Sequence, residues 1–337
     1  MSEILANKSL FTSKNSHFSS TVIVLISLIF ALMIGSGMYG YGNDYYSSYY
    51  RANLDWGGFT DRLGYILATL SINGIHVGVQ IVTFILSLSA GFLLREHIKF
   101  KESYSFIFFI LLYLISIHTW PIIMSTSNAM RQGLSMSFIF LAFVASSRRS
   151  YYWMIIFCCI SILTHKSGLV LAAIVIFVLA AIVIFAPIVK NFLSSFSSAS
   201  RTLIHFLIGT FLLISAFFFF SILGLEELNK PSKIIGGDFR GAFVLIGVIY
   251  ILLSFFYKKI LSNSFNISLY YFSFIAPSLL LNGLNWEYER LGMMMLIPYI
   301  LSYGILLNRF SYQIYMTLTF VLLLMLTVLT GMYASFR

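Results

Sequence analysis

From Asn15 to Asn43 the chain carries no Asp, Glu, Lys or Arg, and uncharged stretches of this kind recur along its whole length of 337 residues. A hydrocarbon layer about 30 Å thick is crossed by about 20 apolar residues in a helix, which satisfies its own backbone polar groups. Here 9% of the residues are charged and 59% are hydrophobic, against about 25% charged in an average soluble domain. So few charges cannot cover a soluble protein of this size. A soluble enzyme, a disordered chain and a disulfide-rich secreted module are all excluded. The apolar runs are too long for strands and do not alternate. The expected fold class is an all-α polytopic membrane protein: a single transmembrane domain over residues 21–337 behind a polar cytoplasmic segment 1–20.

About eleven spans are expected, at 21–40, 74–94, 104–123, 131–147, 151–164, 168–189, 202–223, 241–256, 265–283, 291–307 and 312–333. The first ends in Gly35-Ser36-Gly37, lacks a small-residue cleavage site and reads as an uncleaved signal anchor. With the N-terminus in the cytoplasm, the inner side holds twelve of the 21 Lys and Arg and three of the eleven Asp and Glu. The inner loops are then basic anchors, and the outer loops carry the mixed charge that a polar site requires. The net charge of +10 is read as topological anchoring, with no nucleic-acid partner. Cys158 and Cys159 lie side by side in an apolar run and read as small hydrophobes. No Cys-pair zinc pattern, Walker A loop or dinucleotide glycine pattern follows a strand, so no cofactor is expected, while the outer acids leave a cation open.

Three outer loops stand out: 41–62, rich in tyrosine, 224–240, and 282–290. Phe59, Leu63, Ile66, Leu67 and Leu70 recur at helical spacing and predict an amphipathic interfacial helix near 59–72.

Four clusters could carry chemistry. Asn128, Arg131, Gln132 and Ser135 share one helix face at the start of the fourth span. An arginine at membrane depth is costly and faces a cavity or an anion, and its planar fork suits phosphate oxygens. The competing reading is an arginine snorkelling to headgroups. His165 and Lys166 occupy the short junction after the fifth span. Either His165 carries a proton and Lys166 faces phosphate, or the pair is a polar turn closed by Gly168. Glu287 and Arg290 precede the tenth span, as a local ion pair or as an acid and a second phosphate clamp. In the first outer loop Tyr45 and Tyr49 offer faces and hydroxyls suited to sugars, or form an interfacial belt. Asp44 is there a general base or a turn residue. His76 and His118 fall near the same face and read as structural.

With those residues in place, the chain resembles the EpsG family of bacterial polysaccharide polymerases, within the broader Wzy group for O-antigen, capsule and exopolysaccharide. The resemblance runs from about residue 35 to 305. It rests on the Asp44-to-Tyr49 region, Met130-Arg131-Gln132, the Arg148-Arg149 inner loop, His165-x-Ser167 and Arg290. One departure is Asp61-Arg62, where the family often shows a Glu.

The resemblance implies a GT-C-like, metal-independent glycosyltransferase of the bacterial inner (plasma) membrane, working on its outer side. A growing glycan on undecaprenyl pyrophosphate is transferred en bloc to a newly flipped lipid-linked repeat unit. It further implies a chain-length regulator as a membrane partner. In this reading Arg131, Arg290 and Lys166 hold the pyrophosphate. Asp44, Glu287 or His165 accepts the proton, and Asn128, Gln132, Ser135, Tyr45 and Tyr49 position substrate. Two other classes stay open: a flippase for the same lipid-linked units, which would also need cavity arginines, and a membrane acyltransferase using His165 or His118.

Overall fold

The computed structural model describes residues 2–37, 41, 45–50, 62–72, 75–97, 103–127, 129–165, 197–222, 240–256, 261, 264–283, 292 and 295–301. Among these the backbone is almost wholly helical. The helices are α1 (Ser2–Gly35), α2 (Arg62–Ala68), α3 (Gly78–His97), α4 (Ser103–Ile117), α5 (Trp120–Ser127), α6 (Met130–Ser147), α7 (Tyr151–Thr164), α8 (Ser198–Ile222), α9 (Arg240–Phe256) and α10 (Ser264–Leu281). Residues 295–301 are also helical. Among the described residues three helical segments are long and apolar enough to cross a membrane: Phe18–Gly35, Gly78–Glu96 and Ser200–Ile222. Tyr151–Thr164, Phe243–Phe255 and Leu269–Leu281 are shorter apolar helices. The expected spans 168–189 and 312–333 lie outside the described residues.

The chain divides into two compact units, one containing the described residues up to His165 and the other those from Ser197 to Leu301. In the first unit α3 is central: it packs on α1 and α6, and α6 packs in turn on α7. Apolar burial gives no preference between one membrane helix and another, so close packing and polar ties hold them together. The Tyr113 hydroxyl of α4 illustrates such a tie. It lies 2.7 Å from Ser27 Oγ on α1 and donates to the Ser87 carbonyl on α3 at 3.0 Å. In the second unit α10 packs on α8 and α9. Asn282 there donates to the Phe217 carbonyl at 3.2 Å, and Ser273 Oγ meets the Tyr299 hydroxyl at 2.6 Å.

Several elements differ from the sequence expectations. Helix α1 already begins at Ser2, so the polar N-terminal stretch is helical and continuous with the first span. The expected span 104–123 is broken at His118-Thr119 into α4 and α5. Pro121, in the first turn of α5, has no N–H to continue α4 but fits a helix start. Residues 59–61 of the helix expected near 59–72 lie outside the described set, and the described part runs over Arg62–Ala68 and ends before 72. It is followed by a two-residue hairpin in which Ser71 pairs with His76 and Ile72 with Ile75. The intervening sequence is Asn73-Gly74, the strongest short-range hairpin signal there is. That hairpin moves the start of the second span from 74 to Gly78. Within the expected loop 41–62, residues Tyr45–Tyr50 form a wide π-type helical turn.

Candidate functional site

The sequence candidates that the structure describes gather at one end of the first unit, where α6 begins and α7 ends. Helix α2 lies across this end in contact with α3, α6 and α7. Gly64 permits that approach: a Cβ there would lie 2.2 Å from the Thr164 carbonyl oxygen, 3.0 Å from Arg131 Cγ and 3.2 Å from Arg131 Cβ. The stem of Arg131 and the last residue of α7 therefore press on the same point of α2. On the far side of α6, Gly133 plays a similar part, because its Cβ would lie 2.2 Å from the Ser125 carbonyl of α5.

Arg131 is half-buried in the first turn of α6 and donates from Nε to the Tyr49 hydroxyl at 3.4 Å. Tyr49 is itself 4% exposed. Its carbonyl lies 3.2 Å from His76 Nε2, which donates there. The ring of His76 meets Tyr45 edge-on at 5.8 Å. Tyr45 stacks on Tyr41 at 4.5 Å and meets Tyr46 at 5.2 Å. Tyr41 closes the cluster by donating to the Gly35 carbonyl at 2.6 Å. Partial burial and the neighbouring Tyr46 phenol raise the Tyr41 pKa above the usual phenol value. These rings pack on one another, and Tyr49 ties them to the guanidinium.

The start of α6 adds polarity of its own. Its N-cap position is Ala129, and no side-chain cap bond to the first turn occurs among the described residues. Backbone N–H groups at such a helix start carry partial positive charge and favour an anion. No acid occupies the first turn.

The polar stripe expected on α6 divides between different neighbours. Gln132 is 2% exposed inside the bundle. Ser135 is fully buried and meets Ser161 Oγ of α7 at 2.8 Å, while Ser161 also donates to the Ser135 carbonyl at 3.0 Å. That buried hydroxyl fastens α6 to α7. His165 caps α7, with extended backbone and its N–H on the Ser161 carbonyl at 3.2 Å, and is 5% exposed. Asn128, Lys166, Asp44, Glu287 and Arg290 lie outside the described residues.

Two residues gain weight that the sequence did not give them. His76 read as structural, yet it holds the backbone of the residue that receives Arg131; the Asn73-Gly74 hairpin signal could have placed it. Gln80, in the first turn of α3, packs its side chain against Gly35. Its buried Oε1 has no hydrogen-bond donor among the described residues. His118 donates from Nδ1 to the Leu114 carbonyl at 2.7 Å and packs on Phe30, a structural role.

No curated protein and no solved structure matches the chain. The family model named "EpsG family" matches residues 18–336, nearly the full length. The apolar helices and this match agree on a membrane protein of polysaccharide biosynthesis. An end built from an arginine, a helix start and a tyrosine cluster, on an apolar bundle matched almost throughout, leads to one assignment: the chain belongs to the EpsG family, which implies a glycosyltransferase-like polysaccharide polymerase.

Proposed function

We propose that the protein polymerises lipid-linked oligosaccharide repeat units, and that the Arg131 end of the first unit receives the diphosphate of the donor. The observation that carries this reading is the half-buried Arg131, at an α6 start without a described side-chain cap, held on its Nε edge by the buried Tyr49. The donor is a growing glycan on undecaprenyl pyrophosphate, and the acceptor is one repeat unit on the same carrier. An acceptor hydroxyl oxygen bonds to the anomeric carbon of the donor. The bond from that carbon to the diphosphate oxygen breaks, and undecaprenyl pyrophosphate leaves with the electron pair. The hydroxyl proton passes to a base, for which His165, Asp44 and Glu287 are the candidates.

Charge is what this chemistry asks of the protein. Negative charge grows on the leaving diphosphate, and fixed positive charge in a site of low dielectric stabilises it without reorganisation. Arg131 supplies a full charge and the first turn of α6 a partial one. In the tyrosine cluster the exposed Tyr46 offers a flat face for a sugar ring. Arg290 and Lys166 are further candidate clamps from the sequence. The reaction takes place at the outer face of a bacterial inner membrane, without nucleotide sugar or metal.

Purified protein supplied with one lipid-linked repeat unit tests this directly. A ladder of polymers supports the proposal. Translocation alone supports the flippase, and transfer of an acyl group supports the acyltransferase; either result contradicts polymerisation.

A further inference from the structure

The opposite end of α6 lies about 25 Å from Arg131 along the helix, and the chemistry proposed above leaves it unused. Helix α6 closes there with a Schellman motif: Ser150 N–H bonds the Ala145 carbonyl at 2.9 Å and Arg149 N–H the Ser146 carbonyl at 2.9 Å. The residue in the left-handed position of that motif is Arg149, at φ 57°. Glycine takes this conformation freely, whereas a residue with a Cβ is strained in it. A basic anchor for the membrane face could stand anywhere in the loop, so topology alone does not call for a strained arginine.

The surroundings are basic and aromatic. Arg148 places both Nε and Nη2 on Glu96 Oε2 of α3, at 2.8 and 2.7 Å. Arg95 lies next to that pair, close enough for Arg148 to repel it. It donates to Ser20 of α1 and lies over the Phe92 ring at 5.3 Å. Arg148 and Arg95 thus both lie at the single carboxylate of Glu96, and Arg149 follows Arg148 at the turn. Directly beyond Arg149, Tyr151, Tyr152 and Trp153 are exposed, the latter two at 71% and 53%. Ile155 and Cys159 extend the exposed face along α7. Tyrosine and tryptophan at a helix end settle at headgroup level, and clustered arginines there attract anionic headgroups.

We infer that the α6–α7 turn, with Arg95, Arg148 and Arg149 above the exposed face of α7, is a binding site for an anionic phospholipid. Its headgroup phosphate lies on the guanidiniums and its acyl chains run along Tyr152, Ile155 and Cys159. The excess positive charge selects the anionic headgroup, and the continuous apolar face distinguishes a lipid from a free phosphate ion. The inference stands apart from the polymerase reading, since no residue of the Arg131 end takes part.

The test compares melting of the full-length protein in nanodiscs of phosphatidylcholine alone and of phosphatidylcholine with about one-third phosphatidylglycerol. The wild type is expected to melt several degrees higher in the anionic discs. Arg149→Gly removes the left-handed strain, so in neutral discs it melts about 2–4 °C above the wild type. In anionic discs it loses most of the lipid-dependent rise. Arg149→Lys keeps a charge at the turn and retains part of the rise. No rise for the wild type, or a full rise retained by Arg149→Gly, overturns the site. A rise of the same size from inorganic phosphate added to neutral discs overturns the lipid as its ligand.

Discussion

Gly64→Ala asks whether the Arg131 end depends on the fit of α2. Real Cβ atoms essentially never come closer than 3.0 Å to a neighbour, and this one would start 2.2 Å from the Thr164 carbonyl oxygen and 3.0 Å from Arg131 Cγ. The closest atom belongs to backbone and cannot rotate away. Helix α2 and the end of α7 must part by about 1 Å, and the stem of Arg131 must move as well. Overpacking of this kind costs about 1–3 kcal/mol of stability. A displacement of about 1 Å near reacting groups costs up to about a hundredfold in rate. The expected result is a fall of about 10- to 100-fold in polymer formation by protein reconstituted in liposomes, measured as repeat units joined per minute. The protein stays folded, with a melting point a few degrees lower. Gly247→Ala serves as the comparison, because its Cβ meets nothing nearer than Ser273 Cβ at 3.5 Å, and near wild-type rate and melting are expected. If Gly64→Ala joins units at the wild-type rate, or the two variants lose rate equally, the geometric argument for this end fails.

Other substitutions separate the roles of neighbouring residues. Tyr49→Phe removes the hydroxyl that receives Arg131 Nε and is expected to lower the rate about fivefold, the worth of about 1 kcal/mol for one hydrogen bond; an unchanged rate refutes a positioning role for Tyr49. His76→Ala should lower the rate to a similar degree, and His76→Gln, which can still donate to the Tyr49 carbonyl, should recover much of it. Ser135→Ala and Ser161→Ala should each lower the melting point with little change in rate, and a double-mutant cycle should give a coupling of about 0.6 kcal/mol; a selective loss of rate in Ser135→Ala would return that residue to the substrate. For Tyr41 the folded-state pKa is raised, so its contribution to stability is complete below about pH 10 and is lost as pH rises further. Melting curves above pH 10 should therefore fall less steeply for Tyr41→Phe than for the wild type.

How much of this could be read from the sequence depended on how local the cause was. Helices α6, α7, α9 and α10 follow their apolar runs to within a residue or two, because length and uninterrupted hydropathy determine them. The break between α4 and α5 escaped that reading, since hydropathy continues through His118-Thr119 and the decisive signal is Pro121. The hairpin before α3 was hidden in the same way: Ile72 and Ile75 read as apolar helix positions, while Asn73-Gly74 carried the turn. Arg131 was legible as a costly ion at a helix start. Its partner Tyr49 stands 82 positions earlier in the chain, and no spacing rule connects the two. The bond of Ser135 to Ser161 was not legible either, because helical periodicity shows which residues share a face, not which neighbour that face meets.

The central claim is that positive charge at the start of α6 stabilises a departing diphosphate. The most direct measurement counts polyprenyl pyrophosphate released against glycosidic bonds formed, in liposomes holding wild-type protein or Arg131→Ala and a synthetic lipid-linked repeat unit. The account predicts one diphosphate released per bond in the wild type. In Arg131→Ala both quantities should fall together by about 100- to 1000-fold, the effect of removing one electrostatic contact to a developing anion. Bond formation without diphosphate release, or an Arg131→Ala protein that works at the wild-type rate, would contradict it.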